Sequence, residues 1–312
     1  MVSAVFHSPS EASDALRASQ ASQPPGKPSH NAMTPPANTA SPAPARPSIL
    51  PSVDWAAWAL KLLAPLAGIG LVVAIWGLLT MKGGSFPTPA ATWEEAVKLF
   101  SDPFYRNGPN DQGLGWNILF SLKRVALGFG LAAIVGIPMG FLIGRSKVVG
   151  AMLNPLISLL RPVSPLAWLP IGLLVFKSAD PAAIWTIFIC SIWPMIINTA
   201  VGVQRVPEDY LNVAKVLNLS EWKIVTKILF PSVLPYMLTG VRLSVGTAWL
   251  VIVAAEMLTG GVGIGFWIWD EWNNLNVKNI IIAIFVIGIV GLVLEFALIK
   301  LATAFTFEEV KS

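Results

Sequence analysis

The chain has 312 residues, of which 54% are apolar and only 12% are charged, whereas soluble proteins carry about 25% charged residues. The apolar residues gather in long charge-free blocks, which excludes a disordered polyelectrolyte and indicates a membrane protein. The net charge of +4 is small, and both histidines, His7 and His30, precede the first block. The blocks therefore offer no imidazole for a metal site or a proton relay.

The first 52 residues are rich in Pro, Ser, Ala and Gln, and ten of the 25 prolines lie between Pro9 and Pro51. Such a segment cannot bury enough apolar surface to offset the entropy lost on ordering, so we predict a disordered tail over residues 1–52. It lacks the apolar stretch of a signal peptide. We also expect a short tail over residues 305–312.

Six apolar blocks are long enough to cross a membrane, because about 20 helical residues span about 30 Å of hydrocarbon. They cover residues 62–81, 125–144, 148–176, 181–204, 228–255 and 279–299. We therefore predict an all-α membrane protein of about six transmembrane helices. The first helix and an outer amphipathic segment would occupy residues 53–115, and the remaining helices would form a core over residues 116–304.

The lysines and arginines of the loops predict that both termini are cytoplasmic, because positively charged loops stay on the inner side. In that orientation the inner segments hold Arg46, Lys61, Arg145, Lys147, Arg205, Lys215, Lys223, Lys227, Lys300 and Lys311. The outer loops hold five, which are Lys82, Lys98, Arg106, Lys177 and Lys278.

The second block carries Gly128, Ala132, Gly136, Gly140 and Gly144 at steps of four residues. This spacing places small residues along one helix face, so we predict that another helix packs closely against it. The sequence has no internal repeat, so a pathway with a two-fold axis would need a second copy of the chain.

The loop between the fourth and fifth blocks has the pattern of a short amphipathic helix near residues 207–219. Pro207 suits the first helical turn, Asn218 a left-handed stop and Ser220 the cap of a second helix. The apolar residues that share one face at helical spacing are Tyr210, Val213, Ala214 and Leu217. This face rests either on the membrane or its own bundle, or in a groove of a cytoplasmic partner.

The same loop resembles the EAA signature of ABC importer permeases, which reads Glu-Ala-Ala, three residues, Gly, nine residues and Ile-x-Leu-Pro. The matching residues are Asn212-Val213-Ala214, Asn218 and Ile228-Leu229-Phe230-Pro231. The spacing is the same throughout, and asparagine tolerates the positive φ expected where the signature has glycine. The glutamate of the signature is replaced by Asn212, so the ion pair that it makes with an ATPase is missing here.

Residues outside this loop resemble the nitrate, sulfonate and taurine branch of the same permeases. They include Ser121, Leu122 and Arg124, and residues 136–140, 160–170, 235–242 and 254–257. Residues 212–217 and 253–258 are most similar to cyanobacterial-type nitrate permeases, and bicarbonate permeases share nearly all of this pattern.

The resemblance implies a type I ABC importer permease bundle in a bacterial inner membrane, acting as a homodimer in contact with lipid. It implies a binding protein outside and two ATP-binding subunits inside, which would contact Tyr210, Val213, Ala214, Leu217 and Asn218. ATP and Mg would bind to those subunits, because this chain lacks the Gly-x-x-x-x-Gly-Lys-Ser/Thr sequence of a phosphate loop. We expect a transport subunit that is not an enzyme, has no cofactor or metal of its own and binds no nucleic acid.

The charges inside the blocks are candidates for the transport pathway, because a charge at membrane depth is costly and faces a partner or water. We predict that Arg161 lies halfway along the third helix with Ser164 and Trp168 on its face, and that Arg242 lies midway along the fifth. With no acid at similar depth, both would favour an anion. Alternatively, either arginine bonds to backbone carbonyls or to Glu256 of a neighbouring helix. Glu295, near Lys300, would belong to a helix-end charge cluster.

Glycines dominate residues 260–265, but these follow a membrane helix where no βαβ unit exists, so we reject nucleotide binding. The aromatic residues that follow, Phe266, Trp267, Trp269 and Trp272, suit an interfacial anchor, a gate or a contact with the binding protein.

The interpretation that follows is the permease of an ATP-driven importer of nitrate, with nitrite as a further candidate, working by alternating access. A bicarbonate or aliphatic sulfonate or taurine permease is the alternative within this class. A stand-alone anion channel or a proton-coupled transporter is the alternative from a different class. A stand-alone channel or transporter would give the EAA-like helix no role. The blocks also lack the histidine and paired acids that proton coupling would need.

Overall fold

A computed structural model of the chain describes residues 55–83 and 86–306, and these form eleven α-helices. The helices are α1 (Trp55–Thr80), α2 (Pro89–Ser101), α3 (Leu114–Arg145), α4 (Lys147–Leu160), α5 (Pro165–Phe176), α6 (Ala179–Gln204), α7 (Glu208–Val216), α8 (Glu221–Ile224), α9 (Phe230–Thr259), α10 (Ile264–Asn273) and α11 (Val277–Thr306). A π-helical turn, Val225–Leu229, joins α8 to α9 without a break. The predicted tail over residues 1–52 lies outside the described residues, and α11 extends two residues into the predicted tail at 305–312.

Five helical segments of the described chain are long and apolar enough to cross a membrane, namely α1, α3, α6, α8 with α9, and α11. The pair α4 and α5 makes a sixth candidate, but its two helices are bent by 101°. The prediction of an all-α protein with about six spans is confirmed, whereas the prediction that Arg161 lies halfway along one helix over residues 148–176 is wrong, because two helices occupy that range. Pro165 explains the break, because it disfavours helical dihedrals at Ser164, which instead caps α5 with ψ near 137°.

The centre of the bundle is α6, which packs along α3 on one side and along α9 on the other. The small residues of α3 face α6, with Gly128 against Ile187 and Gly140 against Thr199. A Cβ atom added at Gly140 would lie 2.6 Å from the Thr199 Cβ, closer than packed atoms approach. The predicted small-residue face of the second block is therefore confirmed as a close helix contact.

The first helix packs differently, since its described side chains are exposed along most of its length. Leu66 is 60% exposed and Leu78 is 67% exposed. The Trp76 indole N–H donates to the Pro87 carbonyl at 3.0 Å, at the end of α1 that leads to α2. Because an apolar helix with no polar face must be covered, α1 contacts lipid or another chain.

Candidate functional site

Arg161 lies at the bend between α4 and α5, directly after the last residue of α4. It does not share a helical face with Ser164 and Trp168, so that part of the pathway prediction is wrong. The Ser164 hydroxyl accepts the Leu166 N–H at 3.3 Å and caps α5. The Trp168 ring packs against the bundle core, with its indole N–H buried and unpaired among the described residues.

A cavity of about 330 Å³ extends from Arg161 towards α6 and α9. Its other lining residues are Cys190, Trp193, Pro194, Ile197 and Asn198 of α6, and Leu243 and Thr247 of α9. Within the described residues no carboxylate pairs with Arg161. The cavity therefore combines one uncompensated cation with the amide of Asn198 and the hydroxyl of Thr247.

Arg242 has a different environment, because its guanidinium pairs with Glu295 of α11. Its Nε atom donates to the Glu295 Oε1 atom at 3.1 Å. This pair lines a second cavity, of about 400 Å³, and Leu243 lines both cavities. The prediction of no acid at similar depth is wrong for Arg242, and Glu295 belongs to this pair and not only to a helix-end cluster. The acid was missed because it lies 53 residues away in sequence.

We expect the Arg242→Gln variant to unfold more easily than the Arg242→Gln/Glu295→Gln double variant, because the single change leaves a carboxylate unpaired at membrane depth. Both side chains are about half exposed, so solvent weakens the pair and the expected difference is about 1 kcal/mol; the double change removes both charges. The measurement is thermal unfolding of the purified protein in detergent. Equal unfolding temperatures for the two variants would contradict the pairing of Arg242 with Glu295.

The loop between the fourth and fifth blocks forms the amphipathic helix that the sequence predicts, as α7. It has nine residues instead of about 12, and Pro207 stands at the N-cap position, just before the first turn instead of within it. Asn218 has the predicted positive φ, of 50°, and Ser220 caps α8 by accepting the Lys223 N–H. The positive φ at Asn218 ends α7, and the Leu219 N–H then donates back to the Ala214 carbonyl at 3.0 Å.

The residues of α7 divide between two surfaces. Ala214 is fully buried against the end of α6 and the start of α9, so it faces its own bundle. The large apolar side chains exposed on and after α7 are Tyr210, Val213, Val216 and Leu217, which we call the docking face. Val216 is 81% exposed. The predicted apolar face is thus split, because Ala214 anchors the helix and its neighbours remain uncovered.

A buried polar network at the other end of the bundle has no counterpart among the predicted site residues. Glu256 of α9 is 1% exposed, and its two carboxylate oxygens lie 2.7 and 2.8 Å from the Ser121 hydroxyl. The Arg124 guanidinium donates to Glu256 at 2.6 Å and, through Nη2, to Asp180 of α6 at 2.6 Å. Arg124 and Glu256 are thus partners from different helices, and Arg242 does not bond to Glu256.

Of the aromatic residues predicted at the interface, Trp269 and Trp272 of α10 are exposed and Trp267 is buried. Glu271, next to them, is half-buried, and this burial raises the pKa of its carboxyl group, while Asn279 and Asn276 lower it by hydrogen bonding. The exposed edge of α10 therefore mixes indole rings with a partly desolvated acid.

The chain is similar to known membrane transport proteins in both sequence and fold. The family described as "Binding-protein-dependent transport system inner membrane component" matches residues 136–306. The nitrate import permease protein NrtB of Synechocystis sp. is 49% identical over 236 residues, which are 75% of this chain and 86% of that protein. The bicarbonate transport system permease protein CmpB of Synechococcus elongatus is 46% identical over 245 residues, which are 76% and 88% of the two chains.

Among solved structures, the inward-facing MetNI methionine ABC transporter is similar with a TM-score of 0.53 and 16% identity. The similarity covers 62% of this chain and 96% of that one. The fold is therefore that of the membrane subunit of an ABC importer.

Proposed function

This chain belongs to the family of binding-protein-dependent transport system inner membrane components, and we propose that it is the permease subunit of an ATP-driven nitrate importer. The chain is an ABC importer permease, and such subunits are not enzymes. Among the relatives, nitrate and bicarbonate permeases are about equally similar. The observation that supports an anionic substrate is Arg161 at the bend of α4 and α5, which pairs with no carboxylate among the described residues.

Arg161 supports a small oxygen anion for two reasons. An uncompensated cation at membrane depth lowers the electrostatic barrier to a negative ion. The planar guanidinium also presents parallel N–H groups that bind two oxygens of one anion. Nitrate and bicarbonate are both planar and singly charged, so bicarbonate is the second candidate substrate, supported by the similarity to bicarbonate permeases.

The proposed assembly contains two copies of this chain, two cytoplasmic ATP-binding subunits and an extracytoplasmic binding protein. The exposed surface of α1 and the half-exposed Arg242–Glu295 pair need cover from lipid, water or the second copy. ATP and Mg would be held by the ATP-binding subunits. Their contact on this chain would be the docking face, because an exposed apolar helix surface fits a groove of another protein.

The orientation proposed is a bacterial inner membrane with both termini in the cytoplasm. The bias of loop lysines and arginines supports it, with ten on the inner side against five in the outer loops and two more, Lys123 and Arg124, near the outer end of α3. Movement of the docking face by the ATP-binding subunits would then pass to α9 and open the Arg161 cavity alternately to the two sides.

We expect Val213→Asp to abolish co-purification of the ATP-binding subunits, because it places an unpaired charge in the docking face. Burying such a charge at the contact costs about 3 kcal/mol, which is more than a hundredfold in affinity. Asn212→Asp is the matched control, since it adds the same charge at an adjacent exposed residue where the EAA signature carries glutamate. Ala214 is unsuitable for this test because it is buried. Retention of the subunits by Val213→Asp would refute this contact.

The substrate is tested by measuring uptake of labelled nitrate and labelled bicarbonate, side by side, in a strain that lacks this gene. Loss of nitrate uptake alone supports the proposal. Loss of bicarbonate uptake alone would retain the architecture and replace the substrate. If neither uptake changes, the inorganic anion assignment is wrong and organic sulfonates are tested next.

A further inference from the structure

The start of α10 is fastened to α3 and α9 through its own backbone. The first N–H groups of a helix have no partner within that helix, and here the N–H groups of Gly263, Ile264 and Gly265 all bind side chains. Their acceptors are, in that order, Asn117 Oδ1 at 2.9 Å, Ser121 Oγ at 3.0 Å and Glu256 Oε2 at 3.0 Å. The negative charge of Glu256 also lies at the positive end of the α10 dipole.

Two of the glycines in residues 260–265, Gly263 and Gly265, have a structural explanation in this anchor. A Cβ atom at Gly263 would lie 2.3 Å from the Glu256 carboxyl carbon, and one at Gly265 would lie 2.1 Å from the Val253 carbonyl oxygen. Only glycine allows the backbone to approach Glu256 this closely. Arg124 completes the anchor by donating to the Val262 carbonyl at 2.6 Å.

The helix α9, which carries Glu256 near one end, contacts α7 at its other end. Leu229 and Val233 pack in one buried cluster with Ala214 of α7 and Ile224 of α8. Glu256 follows Leu229 by 27 residues of uninterrupted helix, which spans about 40 Å. A single helix therefore joins α7 at the inner end of the bundle to α10 at the outer end.

We propose that Glu256 is a positioning residue that makes α10 move as one body with α3 and α9, and so couples the outer surface to the docking face. This inference rests on the proposed function, because it requires a binding protein outside and ATP-binding subunits inside. Contact of the binding protein with the exposed edge of α10 then displaces α9, and the displacement reaches the ATP-binding subunits through α7. Glu256 itself does not contact the transported anion.

The test uses the complete reconstituted complex and measures ATP hydrolysis without and with the nitrate-loaded binding protein. Glu256→Gln keeps the size of the side chain, but its amide group donates hydrogen bonds where the carboxylate accepts them. Because Arg124 keeps its ion pair with Asp180 in this variant, we expect basal hydrolysis and assembly to match the wild type, while stimulation by the binding protein falls about fivefold or more. Glu94→Gln, the same change at an exposed outer residue, serves as the control and keeps full stimulation.

Hydrogen exchange at the amides of Gly263, Ile264 and Gly265 reports the anchor directly, and we expect Glu256→Gln to accelerate it. Ser121→Ala weakens the same anchor by one hydroxyl and carries the test if Glu256→Gln does not accumulate. Faster exchange with lost stimulation supports the proposal, whereas faster exchange with full stimulation overturns it, as does unchanged exchange. If the wild-type complex shows no stimulation by nitrate-loaded binding protein, the proposed function fails instead.

Discussion

The Arg161→Gln variant is expected to lose most of its nitrate uptake while its amount in the membrane stays normal. Arg161 is exposed at the bend of α4 and α5 and pairs with no carboxylate among the described residues, so its replacement breaks no ion pair that they form. Hydrogen bonds to a charged group contribute about 1.5–3 kcal/mol, which predicts a loss of about tenfold to a hundredfold. The measurement is the initial rate of labelled nitrate uptake per amount of permease.

Two further variants make this result specific. Arg161→Lys keeps the charge but loses the planar guanidinium, so its uptake should lie between those of the wild type and Arg161→Gln. Lys177→Gln removes a charge at the exposed end of α5 and should transport normally. Wild-type uptake by Arg161→Gln would exclude Arg161 from the pathway.

Arg124→Met is expected to be the most destabilising charge substitution in the bundle. It leaves Glu256, which is 1% exposed, without its cation, and removing one partner of a buried pair costs about 3–5 kcal/mol. The additional change Glu256→Gln should recover part of this loss, because the remaining side chain is then neutral. Thermal unfolding of the purified protein measures both effects.

The matched control is Arg145→Met, which breaks a 2.6 Å pair with Glu221. The Glu221 side chain is 76% exposed, and such surface pairs contribute less than about 1 kcal/mol. If Arg124→Met and Arg145→Met unfold at the same temperature, the buried pair of Arg124 with Glu256 stabilises the protein no more than the exposed pair of Arg145 with Glu221.

Local features of the sequence predicted much of this fold correctly. The run of small residues in α3 predicted that another helix, which is α6, packs against it, because small side chains let two helix backbones approach closely. The end of α7 was predicted at Asn218, because a positive φ favours Gly or Asn. Both features depend on spacing within one helix, which a single sequence displays directly.

The features that the sequence did not predict depend on residues far apart in the chain. Arg242 meets Glu295 across 53 residues, and Ser121 meets Glu256 across 135. The break at Ser164 was missed although Pro165 marks it, because proline also lies inside unbroken helices here, at Pro155 and Pro194. Ala214 matches the spacing of the docking face, and only its burial shows that it faces the bundle.

The most direct test of the account is accumulation of labelled nitrate by vesicles that contain this permease with its ATP-binding subunits and binding protein. We predict accumulation against a gradient that requires ATP on the side of the docking face and is lost with Val213→Asp. Nitrate movement that continues without ATP or without the partner subunits would contradict the account and would favour a stand-alone channel.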